Sequence, residues 1–371
     1  MKTSLRSRKQ RGFTLVELLV GVVVGLIASG AIIQTFSTFE AQKRSTIAGS
    51  EAQENGLVAL GLMEQDIHNA GAGFADPAVL DCAASSTYTY SSLAGGAIPN
   101  FTLAPLVITA GATATTPDSV QINTGDFIGA LPAYLTSPMA NTQTILNVSR
   151  TDGFTAGDVL VVTQGGNCTL IQVSAVVAIT AQLAHAAPLG IYNAPSSATG
   201  SWPSYATGAK VVNPKALVST TYQVSSNNLQ MTTSTTATTP TVQSLSLVRN
   251  LVFMKAQYGV APAGSQSVDT WVNPTGTWSA TSLAASPTNR KRIKAVRLVV
   301  VARSDKREAA NVTSTCTNVS LQVNNGPCAW PDTAASQAPL IDLSANPDWQ
   351  HYRYKVYQTI VPLRNVIWDN V

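Results

Sequence analysis

The most apolar stretch of the chain lies near its start, where residues 13–33 carry a single charged side chain, Glu17. As an α-helix this run spans roughly 30 Å, the thickness of the hydrocarbon core of a bilayer. Basic residues and no acid precede the run, and the next Lys or Arg after it is Lys43. The pattern therefore predicts one transmembrane helix over 13–33, with the N-terminus in the cytoplasm and the bulk of the chain outside.

A cleaved secretory signal is the alternative interpretation of this run. Such signals have a shorter apolar core, of about 7 to 15 residues, with a small-residue cleavage site after it. Here the obvious processing point is Gly12, which comes before the apolar run. The sequence therefore favours a retained helix over a signal that is removed.

Beyond the span the pattern becomes that of a polar, amphipathic helix over 34–72, and the first proline of the chain is Pro77. Ala70-Gly71-Ala72-Gly73 is expected to end this helix. Apolar residues recur at three- and four-residue spacing and predict a face that packs on a globular domain: Leu57, Leu60, Met63 and Ile67.

After residue 75 the chain is rich in Ser, Thr, Ala, Gly and Val, and short alternating runs bounded by turn residues predict β-structure. The runs 157–162 and 169–173 flank Gly165-Gly166 and predict a hairpin. Further strands are expected at 220–224, 247–259, 293–303 and 352–362. The sequence thus predicts an α+β chain, in which a long N-terminal helix packs on a large, mainly antiparallel β-rich head.

Composition narrows the classes of function. Charged residues make up 11% of the chain, against a usual share of about 25%. The formal net charge of +4 comes from five basic residues among the first eleven; without them 18 basic residues face 19 acidic ones. This balance argues against a disordered charged tail and against a nucleic-acid binder.

One basic segment, residues 290–297, nevertheless stands out. It contains Arg290, Lys291, Arg292, Lys294 and Arg297, and it leads directly into an apolar strand. Because the aromatic residues that stack on bases are missing from it, we interpret it as a solvated strand edge, with DNA contact as the weaker alternative.

The start of the apolar run carries a resemblance to a known family. Gly12-Phe13-Thr14-Leu15-Val16-Glu17, preceded by a short basic leader, resembles the class III signal of type IV pilins and type II secretion pseudopilins. The resemblance implies that a prepilin peptidase cuts after Gly12 and methylates the new N-terminus, Phe13. It also implies that Glu17 pairs with the N-terminal amine of a neighbouring subunit during assembly. Gly21 and Gly25 form a G-x-x-x-G step suited to close helix packing.

Motifs further along the chain resemble minor pilins of the PilW kind. They are Gln53-Glu54-Asn55-Gly56 with Asp66-Ile67-His68-Asn69-Ala70-Gly71, then Gly157–Val161, Val248–Val260, Val296–Ser304 and Tyr352–Asn365. His68 departs from the pattern, which has Arg there. Residues 80–145 and 185–215 match nothing in it.

The resemblance implies a type IV pilin-like fold and a domain plan. Residues 1–12 are a cleaved leader, 13–33 the membrane and filament-core half of the helix, 34–72 its amphipathic half, and 73–371 the head, with 80–215 a candidate inserted subdomain. The implied partners are other minor pilins, the major pilin, a large tip-associated protein, prepilin peptidase and the inner membrane. The implied location is the inner membrane and then the extracellular pilus, at its tip.

The four cysteines lie on the expected extracytoplasmic side, where disulfides persist. Three pairings of Cys82, Cys168, Cys316 and Cys328 exist. Cys316 and Cys328 are nearest in sequence, which leaves Cys82 with Cys168, and we favour this combination. A zinc site is the rival, but no C-x-x-C pair is present and the histidines show no ligand spacing.

No catalytic motif is found in the sequence, so we expect a protein that is not an enzyme and needs no cofactor or metal. Paired acids, such as Asp76 with Asp81 or Asp332 with Asp342, lie near prolines, as solvated turn residues do. The expected function is that of a minor pilin that primes pilus assembly or joins the tip complex. Two alternatives stay open: a pseudopilin of a type II secretion system, and an adhesin or binding module at a filament tip.

Overall fold

The structure is a computed structural model, in which the chain divides into two compact units, Met1–Glu51 and Ala52–Val371. The residues that it describes are 13–83, 87–88, 103–126, 131–140, 144–186, 192–193, 203–236, 241–331, 333 and 336–367.

The first unit contains the larger part of helix α1, which runs from Leu15 to His68. Within α1, Leu15–Glu40 is long and apolar enough to cross a membrane, with a mean hydropathy of 2.4. Between Phe13 and Glu51 no described side chain is buried. The hydroxyls of Thr35 and Thr38 donate to the backbone carbonyls of Ala31 and Gln34, at 2.8 and 2.9 Å, so these polar groups are satisfied within the helix itself.

The second unit begins with the last turns of α1. The buried side of this part of the helix consists of Ala52, Ala59, Leu60, Met63 and Ile67. The prediction that Leu57 belongs to this face is wrong, because its side chain is 56% exposed. Small residues occupy the packed side instead of a regular row of leucines. At Gly56, for example, a Cβ would overlap the ring of Tyr357.

Helix α1 ends at His68, and the segment Ala70-Gly71-Ala72-Gly73, which was expected to end it, forms turns. Gly71 has a φ of +81°, in the left-handed region that favours glycine, and its amide donates to the carbonyl of Asn123 at 2.8 Å. A short helix, α2 (Pro77–Leu80), follows, and the Asp76 carboxylate accepts from the amide of Ala78 to cap it.

The remaining elements are strands with three further short helices. The strands are β1 (Thr87–Tyr88), β2 (Leu106–Thr109), β3 (Ser119–Gly125), β4 (Ala133–Tyr134), β5 (Ile145–Asn147), β6 (Val159–Gln164), β7 (Asn167–Gln172), β8 (Ala175–Val177), β9 (Gln182–Ala184), β10 (Lys210–Val212), β11 (Leu217–Ser225), β12 (Asn228–Thr235), β13 (Val242–Arg249), β14 (Leu251–Val260), β15 (Thr270–Val272), β16 (Ile293–Arg303), β17 (Cys316–Thr317), β18 (Val323–Asn324) and β19 (Tyr354–Pro362). The helices are α3 (Ala280–Ala285), α4 (Pro287–Arg292) and α5 (Arg364–Ile367).

These strands form three main sheets. The first sheet has the order β1-β7-β6-β10-β4, the second sheet β13-β12-β11-β3-β2, and the third sheet β15-β14-β16-β19. A small sheet, β5-β9-β8, and the hairpin β17-β18 complete the set found in the described residues. Apart from the parallel pair β1 and β7, the strand pairs in this part of the chain are antiparallel. The expected α+β fold with a mainly antiparallel head is therefore confirmed.

The second and third sheets share one apolar core with the C-terminal turns of α1. Met63 and Ile67 of α1 are buried there with Tyr222 of the second sheet and Val296 of the third. Asp66 of α1 accepts a hydrogen bond from the Tyr222 hydroxyl at 2.7 Å, so the helix is tied to the second sheet by a polar contact as well. The first sheet contributes to two other cores, one shared with Leu183 of β9 and one with Leu217 of β11.

Several strand predictions are confirmed, and one needs correction. The hairpin β6-β7 turns at Gly165-Gly166, where both φ values are positive, and β16 spans the predicted 293–303. The run 247–259, however, is two strands. Asn250, with a φ of +59°, ends β13 and starts β14, so the two halves of the run enter different sheets.

Candidate assembly site

The N-terminus of α1 is closed by a reciprocal pair of contacts between Thr14 and Glu17. The Thr14 amide and hydroxyl both donate to Oε2 of Glu17 at 3.0 Å, and the Glu17 amide donates back to the Thr14 hydroxyl at 3.3 Å. This is the capping-box arrangement, in which a Thr at the N-cap and a Glu three residues later satisfy free amides at a helix end.

The acid of the apolar run thus has a partner within its own helix, in addition to the subunit amine that the resemblance implies. Both contacts from Thr14 end on Oε2, and Oε1 of Glu17 has no hydrogen-bond partner among the described residues. The Thr-x-x-Glu spacing was the signal in the sequence that could have revealed this cap. The arrangement holds the carboxylate at the helix end and leaves one of its oxygens open to another donor.

Large apolar side chains surround this carboxylate on every side of the helix. Phe13 is 84% exposed, Leu15 78% and Val16 68%. Burying one such side chain is worth about 1.5 to 3 kcal/mol, so a helix exposed all round is stable only in lipid or among other helices. The chain supplies no cover of its own for it within the described residues.

Gly21 and Gly25 are four residues apart and so lie on one side of α1. A Cβ added at either position would meet nothing within 4 Å. Neither glycine is therefore required by packing within this chain. The backbone at this side of the helix is open to close approach by a second helix. Gly12, the predicted cleavage position, and the basic leader before it lie outside the described residues, whereas Phe13 begins them.

Comparison with known families explains these features. Residues 7–33 match the model of the prokaryotic N-terminal methylation motif, and residues 209–365 match PilW, described as type IV pilus-assembly protein W. These two matches support a type IV pilin-like protein of the PilW kind. No curated protein and no solved structure matches the chain. Both matched families are structural pilin families, and residues 34–208 lie outside the two matched stretches.

The PilW match covers the basic segment 290–297, where the structure corrects the expectation of a solvated strand edge. Arg290 lies in α4 and is 6% exposed. Its guanidinium donates to the carbonyls of Leu283, Ala284 and Leu80, at 2.7, 2.8 and 3.1 Å, and to that of Cys82. Burial lowers the pKa of Arg290 to about 10, so it stays charged at neutral pH. The side chain joins two parts of the head and is not a free surface.

Three further cations of the segment also have partners within the head. Lys291 pairs with Asp81, and Arg292 donates to the carbonyl of Ala261 at 3.0 Å. Arg297 is 4% exposed on β16, a central strand between β14 and β19, with its guanidinium 5.2 Å from the ring of Trp271 and 5.0 Å from that of Trp330. Such cation–π contacts hold the charge inside the protein.

The four cysteines form two disulfides, Cys82–Cys168 and Cys316–Cys328, with Cα–Cα distances of 5.8 and 5.6 Å. This is the combination that we favoured from the sequence. The first bridge joins the chain after α2 to β7 of the first sheet. The second closes a short loop that contains Asn324, whose side-chain amide donates to the Cys316 carbonyl at 3.2 Å.

The acids that we considered as pairs have structural contacts. Asp76 caps α2 and pairs with Lys210, and Asp342 accepts from the side-chain amide of Asn325 and the backbone amide of Ser344, each at 3.0 Å. These hydrogen bonds lower the pKa of Asp342 against the opposing effect of burial. Asp332 lies outside the described residues. Among the residues described, no group of three or more His, Cys, Asp or Glu could hold a metal ion.

Proposed function

We propose that this protein is a minor pilin of a type IV pilus. Prepilin peptidase cuts after Gly12 and the new terminus at Phe13 is methylated. The mature chain then waits in the inner membrane, crossing once over 13–33 with the head in the periplasm, and enters the filament through α1. It takes part in priming assembly or in the tip complex, with other minor pilins and the major pilin, and it acts by packing rather than by catalysis.

The observation that carries the proposal is the N-terminal half of α1. It matches a methylation motif, is apolar on all sides, and holds one carboxylate at its start. In a filament the helix exchanges lipid for neighbouring helices, and Oε1 of Glu17 can accept from the amine of an adjacent subunit. A buried pair of this kind adds little stability, but it can set register because a shifted subunit leaves a charge unpaired in an apolar core.

Peptide mass spectrometry tests the proposed processing and location. Sheared surface filaments and inner membranes are analysed separately for a peptide that begins at N-methylated Phe13. We expect this peptide in the filament fraction, at low abundance beside a dominant pilin. Its presence only in the membrane would instead favour a type II secretion pseudopilin or a role confined to priming. An intact Met1 terminus in both fractions would overturn the proposal.

Substitutions at Glu17 test the assembly step. Glu17→Ala is expected to give a cleaved, membrane-held protein that enters filaments poorly. Glu17→Gln is the matched variant, because Gln can still accept at a capping box but carries no charge. If the charge of Glu17 sets the register of the subunit, Glu17→Gln should enter filaments as poorly as Glu17→Ala.

Two further variants complete this test. Thr14→Ala removes the hydroxyl contacts of the cap and keeps the charge of Glu17, so it is expected to retain more incorporation than Glu17→Gln. Glu54→Ala, an exposed acid on the same helix outside the apolar run, serves as the control and should assemble normally. Normal incorporation of Glu17→Ala would contradict the proposed role of this carboxylate.

A further inference from the structure

The second sheet of the head has one long open edge, strand β13. Residues 242–246 of this strand are all exposed, and along its other side it pairs with β12. At the opposite edge of the same sheet, the first three residues of β2 are buried. No strand pairs with the outer side of β13 among the described residues.

The register shows which backbone groups are open. The Thr235 amide donates to the Thr241 carbonyl at 3.2 Å, so this pair is a hydrogen-bonded one. Because such pairs alternate along an antiparallel ladder, residues 243 and 245 bond to β12. Val242, Ser244 and Ser246 therefore direct their N–H and C=O groups away from the sheet. These six groups form a template for one more strand.

Open edges are usually protected, and β13 lacks the usual protection. The edge strand β19 of the third sheet carries an exposed lysine, Lys355, and ends in Pro362. Between Val242 and Val248, β13 contains no charge and no proline. Charged residues and proline on an edge strand prevent its pairing with other chains. Their absence from β13 is what we expect of an edge strand that pairs with another chain.

The side chains indicate the pattern of the added strand. Cross-strand partners form a row over one face of the sheet: Ile108, Val120, Tyr222, Met231 and Leu245. The row is fully buried at Ile108 and Val120, partly buried at Met231, and 52% exposed at Leu245. The apolar row thus reaches the last strand without being covered. An apolar side chain on a sixth strand, opposite Leu245, would complete it.

A cation marks the C-terminal end of the same strand. Arg249 lies opposite Asn228 of β12, and its side chain is exposed and makes no ion pair with the described part of the chain. A carboxylate on the added strand at this end would match its charge.

We propose that β13 accepts an extended segment of a different protein as a sixth strand of the second sheet. Apolar and polar residues alternate along this segment, with an apolar residue opposite Leu245 and an acid near Arg249. The inference that this partner lies outside the cytoplasm, in the same assembly, rests on the proposed function.

A second copy of the chain is not the occupant that the geometry favours. Antiparallel self-pairing of β13 requires a twofold axis normal to the sheet. Residues of α1 from Ala52 to Ile67 share the core on one face of this sheet, so this part of the helix lies along that face. The twofold axis would reverse its direction, and the Ala52 ends of the two copies would point in opposite directions. Such self-pairing would therefore join two copies in opposite orientations.

Photo-crosslinking with the full-length chain in cells tests this proposal. A photoreactive amino acid is placed at Gln243 or at Leu245, and at Val319 as a control that is 73% exposed. We expect crosslinks from the two β13 positions to residues two apart in one extended segment of another envelope protein, and none to that segment from Val319. Crosslinks to β13 of a second copy, to lipid only, or to unrelated positions would overturn the proposal.

Proline substitution tests the backbone contacts. Ser244→Pro removes an outward N–H and blocks the added strand, and edge strands tolerate proline at such positions. It is expected to lower the crosslink yield about tenfold or more while thermal unfolding of the chain stays close to that of the wild type. Ser244→Ala, which keeps the N–H, should crosslink normally. If Ser244→Pro is well folded and crosslinks normally, strand addition is wrong.

The two proposals fail separately in these experiments. Loss of the methylated Phe13 peptide with retained β13 crosslinks would overturn the proposed function alone. A processed and incorporated chain without those crosslinks would overturn strand addition alone.

Discussion

The anchor half of α1, from Phe13 to Glu51, and the head differ in how their side chains are covered. Between Phe13 and Glu51 the large apolar side chains are exposed, whereas from Ala52 onward even charged side chains such as Arg290 and Arg297 are buried and bonded. The apolar side chains of the anchor are therefore covered by lipid or by other chains, whereas those of the head are covered largely by other residues of the head. Substitutions in the anchor should change assembly, and substitutions inside the head should change stability.

All six tryptophans lie beyond residue 200, so their fluorescence follows the unfolding of the head in the full-length chain held in detergent. This observable separates effects on stability from effects on assembly. A variant of the head that changed assembly without changing its unfolding would contradict the contrast between the two regions.

Removing the Cys82–Cys168 disulfide should have the largest effect on the head. The bridge spans 86 residues of sequence, and the double Cys→Ala variant should lose about 4.5 kcal/mol of unfolding free energy on the chain-entropy model. Removing Cys316–Cys328, which spans 12 residues, should cost about 3 kcal/mol. Urea unfolding followed by tryptophan fluorescence measures both. The reverse order would show that chain entropy is not the main contribution.

Arg290→Met should lower the unfolding free energy of the head by about 4 kcal/mol, because it leaves buried carbonyls without donors. Arg353→Met is the matched control. Arg353 is 54% exposed and bonded to Glu308, and its loss should cost less than about 1 kcal/mol. The same unfolding measurement applies. Equal effects of the two variants would contradict the structural role of the buried cation.

His185 should make the stability of the head depend on pH. Burial lowers its pKa from 6.5 to about 4, so between these values the unfolded chain binds the proton and the folded chain does not. The head should therefore lose about 3 kcal/mol as the pH falls from 6.5 to 4. Thermal unfolding across this range measures the loss.

His185→Gln should flatten this part of the pH profile, because it removes the buried imidazole. An unchanged slope in His185→Gln would assign the pH dependence to other groups.

The anchor could be recognised from the sequence because its signals are local. A long apolar run, one acid, and Gly12-Phe13 in register define it without reference to any distant residue. The same holds for the hairpin β6-β7, where two glycines with positive φ lie between two strands, and for β16. The Thr14–Glu17 cap was equally local and could have been predicted from its spacing.

Other features depend on residues far apart in the chain. β3 pairs with β11 across more than ninety residues, and the sheet formed in this way covers Met63 and Ile67 of α1 and leaves Leu57 exposed. The position of β16 between β14 and β19 encloses Arg297, which an edge strand would have left in solvent.

Hydrophobic period and turn chemistry act over a few residues, and for this reason the sequence alone was enough to place the long helix, the hairpin and several of the longer strands. Which strand lies at the centre of a sheet, which lies at its edge, and which charges are buried became known only from the assembled fold. These outcomes depend on the pairing register between strands that are far apart in the chain. A change of register by one residue moves a whole face of a strand from the core to solvent, and no local sequence pattern reveals which register forms.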